Sequence, residues 1–179
     1  FGVRDVRPGG SVDENTLFAI GSASKAFTSL AVATLVDEGA LGWDDRVTDH
    51  LPGFQTSEPY VTRELTIRDI LSHRSGLNRG DQVWYAMDID PDEILKRLRY
   101  QPPTTSFRSA FGYNNNMFLA AGQIVQALTG RTWDEVVDGR FFTPLGMTRS
   151  VTSVRSLDGV ENVASPHWEI DGEVLVVPW

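Results

Sequence analysis

A single positive charge stands at the head of the most apolar stretch of this chain. Lys25 and Lys96 are the only two lysines among sixteen Lys and Arg residues, and Lys25 leads directly into Ala26–Val36, a run of Ala, Phe, Leu and Val interrupted by hydroxyl residues such as Thr28 and Ser29. Such a run reads as a helix buried on most of its sides, ending at Gly39. An ammonium taken into that environment must be paired, shifted toward the neutral amine, or both. The four residues Ser22-Ala23-Ser24-Lys25 add a hydroxyl at i, i+3 from the amine. On a helix that spacing places both side chains on one face. A neutral amine there can take the serine proton, and the helix N-terminus favours an oxyanion. The competing reading is a lysine that snorkels its head to the surface and caps the helix, since a bare Ser-x-x-Lys arises roughly once by chance in a chain this long. The arrangement of strand-like Leu17–Gly21, then serine, then buried helix is what a helix-terminal nucleophile needs.

Composition narrows the function classes. The formal charge of −8 argues against a nucleic-acid partner. The absence of cysteine excludes disulfides, thiolate metal sites and a cysteine nucleophile. The three histidines, His50, His73 and His167, form no i, i+4 pair, so no helical metal site is expected, and no glycine-rich phosphate loop is present. No cofactor and no metal are therefore expected. Gly-x-Ser-x-Gly is absent, against the nucleophile elbow of ordinary α/β-hydrolases. No run reaches membrane-spanning length. No signal peptide is visible, and because the chain starts at Phe1 inside a strand-like stretch, a piece of a longer protein is expected. Compartment and oligomeric state are not fixed by the sequence.

The order of elements follows from punctuation. Phe1–Val6 reads as a strand ending in a turn at Pro8-Gly9-Gly10, and Thr16–Ile20 as a short strand or extended lead-in. The first helix is expected from Ser22 to Glu38. Leu41–Phe54 reads as a solvated loop packed through Trp43, Val47 and Leu51. Thr66 with Asp69 forms a capping box for a second helix. Asp90-Pro91-Asp92-Glu93 starts another, stopped by Pro102-Pro103. Further helices are expected over about 116–128, closed by Gly130, and from Thr132 with Glu135 to about Gly139. Arg97 and Arg99 belong to a solvated helix face, and Pro144–Met147 is a turn. A hairpin closes the chain: His167–Ile170, Asp171-Gly172, Glu173–Val177. The middle is helical and strand material lies at both ends.

Tyr113-Asn114-Asn115 sits at a loop–helix boundary, about ninety residues after Ser22. A tyrosine near a lysine amine can act as general base through a stabilised phenolate. An asparagine offers donor and acceptor to a substrate amide or to the lysine. The plainer reading is an aromatic plug beside an Asn N-cap. Trp84 and Tyr85, in a loop between helices, either plug the core or line a cleft, and His73 is expected to support its loop by hydrogen bonds.

Four ordered segments resemble the serine β-lactamase and penicillin-binding-protein superfamily, in its class C β-lactamase-related branch of esterases, D-aminopeptidases and D-Ala-D-Ala carboxypeptidases. They are Phe18–Thr28 around Ser-x-x-Lys, Leu71–Leu77 (a Ser-His-x-Ser-Gly-Leu loop), Tyr113–Asn115 (Tyr-x-Asn) and Pro144–Met147 (Pro-Leu-Gly-Met). The resemblance implies an α/β (α+β) fold of the β-lactamase/penicillin-binding-protein-like transpeptidase type, mainly its helical region with part of the antiparallel sheet and without the C-terminal strands. It implies one incomplete serine hydrolase domain over residues 1–179: strands leading to the nucleophile in 1–21, the helical region in 22–147 and a strand and hairpin segment in 148–179. Ser22 is then the acylated nucleophile and its backbone N–H half of an oxyanion hole. Lys25 accepts the proton or keeps the base ionised, Tyr113 is the general base, and Asn115 holds the substrate's acyl-side amide and the lysine. Lys25 and Tyr113 titrate as a coupled unit. The family's third motif, Lys-Thr-Gly or His-x-Gly, does not occur in the chain, so the isolated segment is expected to be inactive or much weakened.

The resulting expectation is a serine hydrolase acting through an acyl-enzyme on small esters, β-lactams or D-amino-acid peptides, with a slight tilt to carboxylesters because Trp84 and Tyr85 suit a hydrophobic acyl group. The partner is a small molecule or peptide. The rival is a penicillin-binding protein that acylates once without efficient turnover, as sensor or scaffold. A third possibility, a degenerate non-catalytic member, is opposed by intact Ser22, Lys25, Tyr113 and Asn115.

Overall fold

A computed structural model describes residues 1–7, 10–85 and 87–179; the turn expected at Pro8 and Gly9 lies outside the described residues. The chain divides into a helical unit, residues 25–136, and a terminal unit, residues 1–24 with 137–179.

The helical unit carries α1 (Lys25–Asp37), α2 (Val47–His50), α3 (Pro59–Glu64), α4 (Ile67–Leu71), α5 (Pro91–Arg97) and α6 (Asn115–Thr129), with α7 (Trp133–Val137) at its end. Helix α6 is the hub. Its Met117, Ala120, Ala121, Ile124 and Val125 are fully buried, and α1, α2, α4 and α5 pack against it. Helix α1 meets it with Thr28, Ala31, Val32 and Leu35, an i, i+3, i+4, i+7 stripe. Trp133 Nε1 donates to Thr28 Oγ1 at 3.1 Å, tying α7 to α1. Burial of α1 is therefore one-sided, not on most sides as the apolar run suggested: Leu30 falls off the stripe and is 46% exposed. The helix also starts at Lys25 rather than Ser22, because Gly21–Ser24 winds as a 3₁₀ turn.

Local capping signals hold. Thr66 accepts the Asp69 N–H while Asp69 accepts from Thr66, closing the capping box of α4. Asp90 caps α5 with Pro91 at the first position, and Asn114 Oδ1 accepts the Met117 N–H to cap α6, which Gly130 closes. Thr132 and Glu135 bond reciprocally ahead of α7, which ends at Val137 and passes into a π turn over Asp138–Phe142. Asp69 does more than cap. Only 2% exposed, it accepts three bonds from the Arg108 guanidinium at 2.7–3.0 Å.

Two helices depart from the sequence reading. Within the expected loop Leu41–Phe54, Val47–His50 is a helical turn, and Pro59–Glu64 is a helix that went unmarked. Non-local backbone bonds hold α2: Val47 N–H donates to Leu65 O and Ile67 N–H to Asp45 O. Periodicity within a four-residue segment carries no trace of such partners.

In the terminal unit, β1 (His167–Ile170) pairs antiparallel with β2 (Glu173–Val176), with Trp168 opposite Leu175. Asp171 (φ 51°) and Gly172 (φ 83°) form the two-residue turn, whose left-handed second position glycine takes without a Cβ penalty. Among the described residues Phe1–Val6 forms an isolated bridge, Val3 to Ser11, in place of the expected strand, and Leu17 is an extended lead-in bridging Val163. Side chains and backbone weave the two terminal segments together: Arg4 donates to Asn162 Oδ1 at 2.9 Å, Ser165 Oγ to Asp5 at 2.5 Å, and Ala164 N–H to Leu17 O at 2.9 Å.

Candidate active site

The need of Lys25 for a partner is met at the head of α6. As first residues of their helices, Lys25 of α1 and Asn115 of α6 come together because those helices pack on each other. Lys25 Nζ donates to Asn115 Oδ1 at 2.6 Å. The same ammonium lies 4.8 Å from the centroid of the Tyr113 ring and 5.4 Å from that of Phe118, within the reach at which an aromatic face attracts a cation. An amide oxygen and two aromatic faces thus surround a side chain that pure apolar burial would disfavour.

The other end of the Asn115 amide is also engaged. Its Nδ2 donates to Asp81 Oδ1 at 2.8 Å, and Asp81 is paired with Arg79. The Arg79 guanidinium stands 5.5 Å from the Tyr113 ring centroid, so cations from two segments face one phenol. Buried amides hold the loop that presents Asp81. Asn114 and Gln101 both donate to Asn78 O, and Asn116 donates to Gly80 O at 3.3 Å. Gly80 adopts φ 67°, and a Cβ there would stand 2.6 Å from Gln101 Oε1 and 2.9 Å from Asn116 Nδ2, so a side chain there would strain the backbone and push those amides aside.

His73 lies against the Tyr113 ring. The ring centroids are 4.6 Å apart at 36°, with Phe118 at 5.1 Å and Phe111 at 5.3 Å. Its Nδ1 accepts the Asn114 N–H at 3.1 Å, which places the ring proton on Nε2. Burial, aided by the charge of Lys25, lowers its pKa below the usual histidine value, keeping the ring neutral. The expectation of hydrogen-bonded loop support therefore holds, and the structure adds a stacking contact with Tyr113.

Of the residues singled out from sequence, Lys25, Tyr113 and Asn115 are gathered in the helical unit. Ser22 sits exposed in the 3₁₀ turn of the terminal unit, three residues before Lys25 in the chain. Trp84 and Tyr85 meet edge to face at 5.9 Å, and both backbone N–H groups donate to Asp81 O. Tyr85 is 70% exposed, which corrects the core-plug reading for that ring. Sequence reasoning passed over Arg79 and Asp81. The turn-forming Asn78-Arg79-Gly80-Asp81, just after the Ser-His-x-Ser-Gly-Leu loop, is the signal that marks them. Among the described residues no cluster of His, Cys, Asp or Glu could hold a metal ion, and no helix is long and apolar enough to cross a membrane.

Lys25, Tyr113 and Asn115 thus converge at the starts of α1 and α6 in the helical unit. The chain belongs to the Beta-lactamase family, whose model matches residues 1–177. It is 37% identical over 153 residues to Penicillin-binding protein 4 of Amycolatopsis lactamdurans, covering 80% of this chain and 38% of that protein. It is 34% identical over 166 residues to Esterase EstB of Burkholderia gladioli, covering 82% and 41%. An octameric penicillin-binding protein homologue from Pyrococcus abyssi superposes with a TM-score of 0.83 at 24% identity, over 99% of this chain and 42% of that one, a likeness of fold. The chain spans from 29% to 38% of the length of curated relatives such as Penicillin-binding protein 4 and two unguisins hydrolases.

Proposed function

We propose that this chain carries the nucleophile and base of a serine hydrolase working through an acyl-enzyme, as part of one β-lactamase-like domain. The observation that carries the reading is the convergence of Asn115 Oδ1, at 2.6 Å, and the Tyr113 ring, at 4.8 Å, on Lys25 Nζ. In this reading Ser22 Oγ attacks the substrate carbonyl carbon. Its proton passes to the Lys25–Tyr113 pair, which returns it to the departing alcohol or amine as the acyl–leaving-group bond breaks. Water, deprotonated by the same pair, then attacks the acyl carbon, and the pair returns that proton to Ser22 Oγ as the ester bond breaks. Positive charge beside a phenol favours the form that takes a proton. The Ser22 N–H supplies half of the oxyanion hole, and Asn115 holds the acyl-side amide.

The substrate class is a small ester, a β-lactam or a D-amino-acid peptide. Trp84 and Tyr85 suit a hydrophobic acyl group, and the likeness to an esterase supports the same tilt toward carboxylesters. The likeness to a penicillin-binding protein favours a second reading, acylation without efficient turnover.

The test is intact-mass spectrometry with peptide mapping after exposure of the full-length protein to a fluorophosphonate. One adduct on Ser22 is expected, absent in Ser22→Ala and slowed about 10²–10⁴-fold in Tyr113→Phe. An unlabelled protein, or an adduct elsewhere, overturns the reading. With an ester or β-lactam substrate, a burst followed by steady release supports the hydrolase, and a burst alone supports the single-acylation reading.

A further inference from the structure

We propose that Asp81 is a positioning residue that sets which way the Asn115 carboxamide faces, with Arg79 holding Asp81 in place. The inference rests on the serine hydrolase reading for its effect on rate, and on geometry alone for the contact itself. A carboxamide is nearly symmetric in shape, so packing does not decide which end carries the oxygen and which the NH₂. Chemistry decides it here. As an ammonium, Lys25 Nζ has only donors and requires the oxygen, which stands at 2.6 Å. An ionised Asp81 has only acceptors, so it requires the NH₂, which stands at 2.8 Å. Turned over, the amide would set NH₂ against ammonium and carbonyl against carboxylate, losing both charge-assisted bonds at once.

Asp81 is itself oriented. Its second oxygen accepts from Arg79 Nε, and the Arg79 guanidinium leans over the Tyr113 ring at 5.5 Å. Behind it, Gly80 lies against the Gln101 and Asn116 amides, where a Cβ would force those side chains to shift. The result is one chain of contacts from Arg79 through Asp81 and Asn115 to Lys25. It delivers an amide oxygen to the proton-handling amine and leaves the second N–H of Asn115 for another acceptor, the place a substrate carbonyl would take.

Asparagine at position 81 keeps the shape and removes the discrimination, because it offers the Asn115 amide both a donor and an acceptor. The expected result for Asp81→Asn in the full-length protein is an unchanged melting temperature and a roughly tenfold slower fluorophosphonate labelling of Ser22, one charge-assisted contact's worth at tenfold per 1.4 kcal/mol. Because Asp81 acts through Asn115, the double variant Asp81→Asn/Asn115→Ala should label no more slowly than Asn115→Ala alone. Equal rates for Asp81→Asn and wild type, or additive losses in the double variant, overturn the proposal. The ¹⁵N side-chain resonances of Asn115, assigned by their loss in Asn115→Ala, should shift in Asp81→Asn. Unmoved resonances overturn the contact whether or not the protein labels. A wild-type protein that fails to label, with the Asn115 resonances still shifting in Asp81→Asn, instead overturns the hydrolase reading and leaves the orienting contact standing.

Discussion

The helical unit and the terminal unit are built on different economies of burial. Residues 25–136 contain nearly every fully buried apolar side chain, from Ala31 and Val32 to Leu98, Ile124 and Val136. In residues 1–24 and 137–179 the buried apolar residues are Val137, Phe141 and Phe142, while Phe18, Ile20, Trp168, Ile170, Val174 and Leu175 are all more than 40% exposed. The first unit is held by packing and the second mainly by hydrogen bonds between its two chain segments.

The largest effect expected from that difference is in the core. Ile124→Ala should cost about 2–5 kcal/mol, as for other buried aliphatic truncations. Trp168→Ala, on the exposed hairpin, should stay within about 0.5 kcal/mol. Chemical denaturation of both variants checks this, and equal losses would erase the distinction between the units.

Ion pairs offer a second, smaller contrast. Asp69→Asn removes the carboxylate that accepts from Arg108, 39 residues away, and leaves one amide oxygen to serve both Arg108 and the Thr66 N–H of the α4 capping box. A loss of about 1.5–3 kcal/mol is expected, the range for hydrogen bonds to a charged group. In the terminal unit Asp5 has its charged partner Arg7 two residues on and a neutral hydroxyl, Ser165, across the unit; the Arg7 attraction largely survives unfolding, so Asp5→Asn should cost less. Burial pushes the Asp69 pKa up, but the bonds from Arg108 and Thr66 outweigh it and the net shift is downward. A carboxyl with a lowered folded pKa contributes stability above its unfolded pKa, and that contribution is lost as pH falls through the folded value. Acid should therefore weaken the wild type more than Asp69→Asn.

The smallest effect concerns His73, whose folded pKa is lowered by burial and by Lys25. The unfolded chain binds its proton first, so the stability this ring confers is full above the ordinary value of about 6.5 and declines as pH drops from there toward the lowered folded value. His73→Asn, which tolerates the left-handed backbone (φ 57°), should flatten that decline. Hydrogen exchange should locate the lost protection in residues 25–136.

What was legible in the sequence was local. Thr66 with Asp69, Asp90-Pro91, Asn114 and the Asp171-Gly172 turn each carry their reason within four residues, and each stands where the pattern puts it. Helix α2 was not legible, because beyond the Arg46 N–H bond to Asp49 its anchor is the distant Leu65 carbonyl, which accepts the Val47 N–H. Nor was the one-sided burial of α1, which depends on where α6 lies and not on the apolar count. At the site, Lys25 announced that it needed a partner and Tyr113-Asn114-Asn115 was a candidate, but Asp81 and Arg79 gain meaning only once the loop around Gly80 turns toward Asn115. The stacking of His73 on Tyr113 likewise depends on a fold that brings positions forty residues apart into contact.

The bond between Lys25 and Asn115 closes a loop of ninety residues. Closure over that distance carries an entropic cost that local helices do not offset, and contacts of long sequence separation form slowly. The lysine therefore acquires its amide partner only after α1 and α6 have found each other, by which point the hub of the core is in place. Any partly folded form in which α1 and α6 have not met lacks the Lys25–Asn115 bond as well. If the proposed serine hydrolase reading holds, recovery of probe reactivity during refolding would time that long-range step.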